Sequence, residues 1–368
     1  MRRALALAAR GRYTTSPNPA VGCVIVSANG DVVAEGWHQR AGEPHAEIVA
    51  LKNAGSNTEG ATVYVTLEPC AHTGRTPPCV EALIAARVAK VVSAMSDPNP
   101  QVAGEGYRRL RAAGIEVVAD VLRDEARALN RGYVSRYERG RPFVRCKLAM
   151  SMDGRTAMAS GQSQWISCAE SRRRVHQLRA ESCAIITGIG TVLADKPKLN
   201  VRESELGQAV SRQPLLVVLD TQARLPADAA VLESDRSVWQ VVAGQSNGEM
   251  PLQALAAEPG VKSCRRIEIP LDRGRLDLPV LMSSLAEAGC GEVLLEAGPR
   301  VAASFLSADL IDELMLFVAP KIMGAEAKPL FDLRIDTIEE SIQYEWLGVE
   351  SVGDDLLLVA APKRKADK

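Results

Sequence analysis

Apolar positions in the first 140 residues recur with two periods, and the alternation between them predicts strands alternating with helices. Val21 to Val26 is a short apolar run suited to a strand, Asn29-Gly30-Asp31 has hairpin-turn residues, and Val32 to Gly36 returns as a second strand. His45 to Asn53 is spaced as a helix, with Pro44 in its first turn and Gly55 just past its end. Ala61 to Leu67 is a third strand, Pro78 to Arg87 a helix and Lys90 to Met95 a fourth strand. Gly106 to Ala113 then forms a helix that leads to a strand over Ile115 to Ala119. Such alternation predicts an α/β layer with the sheet in the middle. Arg123 to Arg131 is a polar helix, and Ser135 to Pro142 has the composition of a linker.

A fresh strand begins at Phe143 and runs to Met150, so the chain divides into 1–141 and 142–368. The second part repeats the pattern: a helix over Ala169 to Ala180, then strands over Cys183 to Gly188, Pro214 to Asp220 and Val238 to Ala243. Val293 to Glu296 is a strand followed by a Gly298-Pro299 turn and a helix over Val301 to Ala308, and Leu314 to Val318 is one more strand. Runs apolar on both faces predict strands covered by helices on each side.

Composition narrows the function. The 368 residues carry 44 basic and 45 acidic side chains, a net charge of -1, which argues against a protein that coats nucleic acid. No apolar run approaches the roughly 18 residues that a membrane span needs. The opening Met1 to Ala9 is too short and too soon interrupted by Arg10 and Arg12 for a secretory signal, and suits an amphipathic helix. Most of the eight cysteines sit in apolar runs, as buried thiols of a reducing compartment do, so the chain is expected in the cytoplasm.

Cys70 and Cys79 stand apart. With His45 they supply one imidazole and two thiolates, which bind zinc tetrahedrally and leave a fourth position for water. Glu47, two residues from His45, is placed to take a proton from that water and pass it to a departing amine. Zinc deaminases divide the work this way, with a His-x-Glu and a Pro-Cys segment. Two alternatives use the same residues: a closed site with His72, His38 or Cys23 as fourth ligand, and core cysteines without metal. The closed site leaves Glu47 without a purpose. Eight residues separate the cysteines, and this polar loop could hold a phosphate-bearing substrate.

Ser16-Pro17-Asn18-Pro19-Ala20-Val21-Gly22, Gly42 to Glu47 and the whole segment Thr66 to Cys79 resemble the bifunctional riboflavin-biosynthesis deaminase/reductase family. Asp97-Pro98-Asn99-Pro100, Lys147 to Arg155, Gly161 to Ile166 and Glu296-Ala297-Gly298-Pro299 carry the likeness across nearly the whole chain. The resemblance implies a cytidine-deaminase-like three-layer α/β/α domain over 1–141 and a dihydrofolate-reductase-like α/β domain over 142–368. It implies one Zn2+ per chain and NADPH, a pyrimidine ribose-phosphate substrate, and a homo-oligomer, a dimer, without nucleic acid or membrane.

Position by position, it assigns His45, Cys70 and Cys79 to zinc, Glu47 to proton transfer, and Asn18, His72 and Arg75 to the deaminase substrate. Lys147, Ser163, Arg179, Leu199, Arg202 and Glu296 fall at reductase substrate contacts, with Lys147 as substrate contact or proton donor. Ala149, Trp165, Thr191, Asp195, Thr221 and the turn Gly298, Pro299, Arg300, Val301, Ala302, Ala303, Ser304 fall at cofactor contacts. Without the resemblance the second half is nearly silent. Its Gly188-Ile189-Gly190-Thr191 lacks the spacing of a dinucleotide fingerprint and reads as a strand end with a turn. Two rivals remain: a nucleic-acid deaminase, disfavoured by 4% aromatics, and a zinc-stabilised binding or regulatory protein without turnover.

Overall fold

The short apolar runs of the first half pair into one sheet. The computed structural model describes residues 1–72, 77–210, 212–244 and 263–363. Two compact units form, Met1–Arg141 and Pro142–Lys368. In the first, helix α1 (Arg2–Ala9) precedes strands β1 (Gly22–Val26) and β2 (Val32–Trp37), and helix α2 (Ala46–Ala54) precedes β3 (Thr62–Val65). Helix α3 (Cys79–Ala85), β4 (Lys90–Ser93), α4 (Glu105–Ala112) and β5 (Glu116–Val118) follow. The sheet order is β2-β1-β3-β4-β5. The β2-β1-β3 edge is antiparallel and β3-β4-β5 is parallel. Cys23, Ile25, Val63, Val65 and Val91 are fully buried between the sheet and its helices.

The expected linker is mostly helix. After α5 (Arg123–Leu129), α6 runs over Arg131–Arg139 and stops at Gly140, whose φ of 65° ends the helix. Two features outweigh the polar composition of this stretch. Val134 is buried and Tyr133 packs against the core, while the Asn130 side chain bonds both the N–H and the carbonyl of Ala20, at 2.8 and 3.0 Å.

The second unit holds a nine-stranded sheet. Its elements begin with β6 (Phe143–Ser151), β7 (Arg155–Ala157), α7 (Ala169–Glu181), β8 (Ala184–Gly188), α8 (Ile189–Asp195) and α9 (Glu203–Leu206). Next come β9 (Leu215–Leu219), β10 (Ser237–Ala243), β11 (Ser263–Ile269), the ribbon β12 (Leu271–Asp272) and β13 (Arg275–Leu276), and α10 (Leu278–Glu287). The rest is β14 (Glu292–Leu295), α11 (Pro299–Ser307), β15 (Glu313–Ala319), β16 (Lys328–Pro329), β17 (Tyr344–Val352) and β18 (Asp355–Pro362). The sheet order is β11-β10-β9-β8-β14-β6-β15-β18-β17, and β7 pairs with β16 apart from it. The strands from β11 to β15 are mutually parallel, and β18 and β17 close the edge antiparallel. Strands β8 and β9 are buried at every position, as strands covered on both faces must be. Among the described residues, no helix is long and apolar enough to cross a membrane.

Candidate functional site

In the first unit, helix α2 delivers two of the expected residues at once. His45 caps its N-terminus and Glu47 lies in its first turn. The helix can sit close on β2 because position 36 is glycine: a Cβ there would stand 2.5 Å from the Ala46 carbonyl and 2.6 Å from the Ala50 amide. Cys70 follows β3 through a turn anchored by the buried Glu68 carboxylate, which accepts from the amides of Asp97 (3.2 Å), Gly104 (3.0 Å) and Tyr107 (3.3 Å). Cys79 opens α3, and its N–H points at the Cys70 sulfur, 3.3 Å away.

These elements converge. His45 Nδ1 lies 3.6 Å from Cys70 Sγ and 3.3 Å from Cys79 Sγ, and all three ligand atoms lie within 4.8 Å of one another. With zinc–nitrogen and zinc–sulfur bonds of about 2.1 and 2.3 Å, a tetrahedral angle sets nitrogen and sulfur about 3.6 Å apart, so the cluster fits the ion. The Cys79 hydrogen bond, with help from His45, draws Cys70 down to about 4, while its bond to Cys70 and burial push Cys79 up. Burial, with the field of Cys70, raises Glu47 to about 7.

Among the described residues no fourth ligand joins this group. His38 is engaged elsewhere. Its Nδ1 donates to the Pro44 carbonyl at 3.1 Å, which leaves Nε2 to accept from Asn18 Nδ2 at 3.1 Å. Cys23 is fully buried in β1, and His72 is exposed. The His38 and His45 rings meet edge to face at 5.5 Å, which brings Asn18 beside the cluster. Arg75 lies outside the described residues.

In the second unit a cleft of about 1550 Å³ opens where the parallel strands end, the usual place for ligands on such a sheet. All six residues expected to touch the reductase substrate line it. At its floor Arg179 grips Glu296 with both arms, at 2.6 and 2.9 Å. Burial would raise the Glu296 carboxyl, yet Arg179 and Lys147 outweigh it and hold the group below its ordinary value. Lys147 is lowered by burial, against the pull of Glu296.

Ala149, Trp165, Thr191, Asp195 and Thr221 also line the cleft. Ser163 donates to Asp195 at 3.1 Å, and the Arg172 guanidinium lies 4.6 Å from the Trp165 ring centre. Of the turn after Glu296, the side chains of Ala302 and Ala303 depart from expectation. Both are buried in the unit's interior, and the Ala302 N–H is already given to the Gly298 carbonyl at 3.1 Å. Helix periodicity is the reason, since a run of seven residues wraps the whole circumference and cannot face one cleft. Gly298, Pro299, Arg300, Val301 and Ser304 do line it. Gly188 ends β8 where a Cβ would stand 2.8 Å from Val301 Cγ2, so glycine is what lets α11 begin there. Beyond it, Ile189 to Asp195 forms α8 where the sequence reads only as a turn.

Two family models match the chain: the RibD C-terminal domain over residues 142–358, and the cytidine and deoxycytidylate deaminase zinc-binding region over residues 1–95. The riboflavin biosynthesis protein RibD of Escherichia coli is 46% identical over 97% of each chain, and that of Haemophilus influenzae 44% over 99% of this chain and 96% of its own. The chain belongs to the RibD family. Solved RibD structures agree. That of Acinetobacter baumannii has a TM-score of 0.89 at 43% identity, over 99% of this chain and 98% of its own. A deaminase/reductase from Thermotoga maritima has 0.84 at 32%, over 98% and 97%.

RibD chemistry needs zinc in one unit and NADPH in the other, and this chain suits both. The cleft is larger than the roughly 300–1,000 Å³ of a single small-molecule site, and Gly298 to Val301, at the N-terminus of α11, line it, where a helix start can meet a phosphate. Sequence reasoning missed His176, Gln213 and Arg236, which shape the cleft wall from a distance in sequence. No motif marks them.

Proposed function

We propose that the chain catalyses two successive steps on one substrate. The first unit hydrolyses the 2-amino group of 2,5-diamino-6-(5-phosphoribosylamino)pyrimidin-4-one. The second reduces the ribosyl side chain of the product with NADPH, giving 5-amino-6-(5-phosphoribitylamino)uracil. The observation that carries the first step is the spacing of His45, Cys70 and Cys79, 3.3 and 3.6 Å, with Glu47 buried beside them.

Zinc held by those three residues supplies Lewis acidity to the attacking water. Glu47, its carboxyl raised by burial, takes a proton from that water and hands it to the departing amino group, which leaves as ammonia. Asn18, oriented by His38, holds the pyrimidine, and His72 and Arg75 bind its ribose phosphate. In the second unit NADPH supplies hydride. Lys147, whose pKa burial lowers, gives up a proton as the sugar ring opens, and the Arg179–Glu296 pair holds the sugar. The turn from Gly298 to Ser304 meets the cofactor phosphates.

Mass spectrometry of products formed with and without NADPH tests the reading. Deaminated product alone is expected without cofactor, and deaminated, reduced product with it. No conversion by protein carrying one zinc per chain would overturn it in favour of a binding protein.

We place this activity in the cytoplasm, in a homodimer formed through the second unit. Strand β17 supports the dimer, since Trp346 and Val349 are 65% and 64% exposed along a sheet edge that pairs with no other strand among the described residues. Light scattering should return twice the chain mass.

A further inference from the structure

The five residues from Lys198 to Arg202 cross the cleft wall without belonging to a strand or helix. Side chains from elsewhere clasp their backbone. Arg236 donates to the carbonyls of Lys198 and Leu199, the latter at 2.6 Å, and Arg179 donates to that of Asn200 at 3.1 Å. Gln213 bonds both the N–H and the carbonyl of Val201 at 2.8 Å. The backbone nitrogen of Arg202 lies 3.3 Å from His176 Nδ1.

His176 also meets the Arg202 side chain: its Nε2 accepts from Nε at 3.3 Å and lies 3.0 Å from Nη2. A neutral imidazole has one acceptor nitrogen; the charged fork is closer and a stronger donor than the backbone N–H facing Nδ1, so we assign the lone pair to Nε2, and the Nδ1 contact then carries no hydrogen bond. His176 is 2% exposed and stands one turn before Arg179 on α7, so the two share a face.

Arg179 and Arg202, both lining the cleft, are therefore partnered differently. Arg179 spends its charge on Glu296. Arg202 is held by a neutral ring and meets a carboxylate only in a long, half-exposed ion pair with Glu205 at 3.8 Å. Its positive charge is left available to an anion, and its half-exposed fork lines the cleft.

We infer that His176 is a positioning residue of the reductase, which fixes Arg202 as a donor to the substrate's phosphate without itself cancelling the arginine's charge. This rests on the reading of Arg202 as a substrate contact. A carboxylate in place of His176 would hold Arg202 equally well but cancel the charge the phosphate needs.

The test uses the full chain with 5-amino-6-(5-phosphoribosylamino)uracil and NADPH. His176→Phe keeps the ring and removes its nitrogens. It should raise the KM for the pyrimidine about ten-fold, the loss expected for one hydrogen bond to a charged group, with kcat and NADPH affinity within about two-fold. His176→Gln, which keeps a neutral acceptor, should recover most of that loss. Arg202→Ala should raise the same KM at least as much, and adding His176→Phe to it should change nothing further, because partners acting as one unit are not additive. Additive losses, or a parallel loss of NADPH affinity in both His176 variants, would reduce His176 to a packing residue. An unchanged KM in Arg202→Ala would overturn the reading of Arg202 itself, and the inference with it.

Discussion

Arg179 and Glu296 form a two-pronged ion pair across the cleft floor, Nε to Oε1 at 2.6 Å and Nη2 to Oε2 at 2.9 Å. One comes from helix α7 and the other from the end of β14, so the pair joins a helix to the sheet where substrate is expected. Truncating Glu296 to Ala leaves Arg179 without its counter-charge. The second unit should lose roughly 3 kcal/mol of stability by urea unfolding. Reduction should be lost and deamination retained. Unchanged unfolding would show that the pair contributes little.

Glu47→Gln keeps the size of the side chain and removes its proton transfer. Deamination should fall by about 10²–10⁴-fold. Bound zinc, by metal analysis, and reduction of supplied deaminated substrate should both be preserved. Stripping the metal with a chelator should likewise stop deamination and spare reduction. A Glu47→Gln enzyme that deaminates normally would remove Glu47 from the mechanism.

Gly188→Ala forces a methyl group into Val301 Cγ2, 2.8 Å away, and should displace the start of α11. NADPH affinity, followed by fluorescence titration, should weaken, with the deaminase untouched. Adding Val301→Ala should restore it, since the space would then exist. If the double variant binds no better than the single one, the steric account fails.

Stability of the second unit should fall on acidification. Burial first, then the fields of Arg179 and Arg202, depress His176 from 6.5 to about 4, against the opposing pull of Glu296. Between those values the unfolded chain binds a proton that the folded chain refuses. Unfolding free energy therefore drops as pH falls through that window and is fully retained above it. Urea midpoints measured at about pH 7 and about pH 5 should show the drop, and His176→Gln should make it shallower. An identical slope in the variant would mean that other groups carry it.

Where structure and sequence expectation differ, tertiary packing is the reason. Composition marks Ser135 to Pro142 as linker, yet Val134 and Tyr133 find an apolar surface and keep it helical as far as Arg139. The β17–β18 hairpin escaped notice because β17 is largely exposed and carries no buried face to give it a clear alternation. Position alone assigns Ala302 and Ala303 to the cofactor turn, and the turn of the helix carries their side chains inward.

The chain itself determined the strand and helix alternation and the candidate metal residues. Both are written locally: apolar period sets the elements, and ligands of fixed chemistry sit at the starts of α2 and α3 and after β3. What only the tertiary structure decided is which distant side chains serve one another. His176 meets Arg202 from 26 residues away, Arg179 meets Glu296 from 117, and Arg236 holds Leu199 from 37. Such pairings follow no period, because they depend on where the sheet brings the ends of separate elements together.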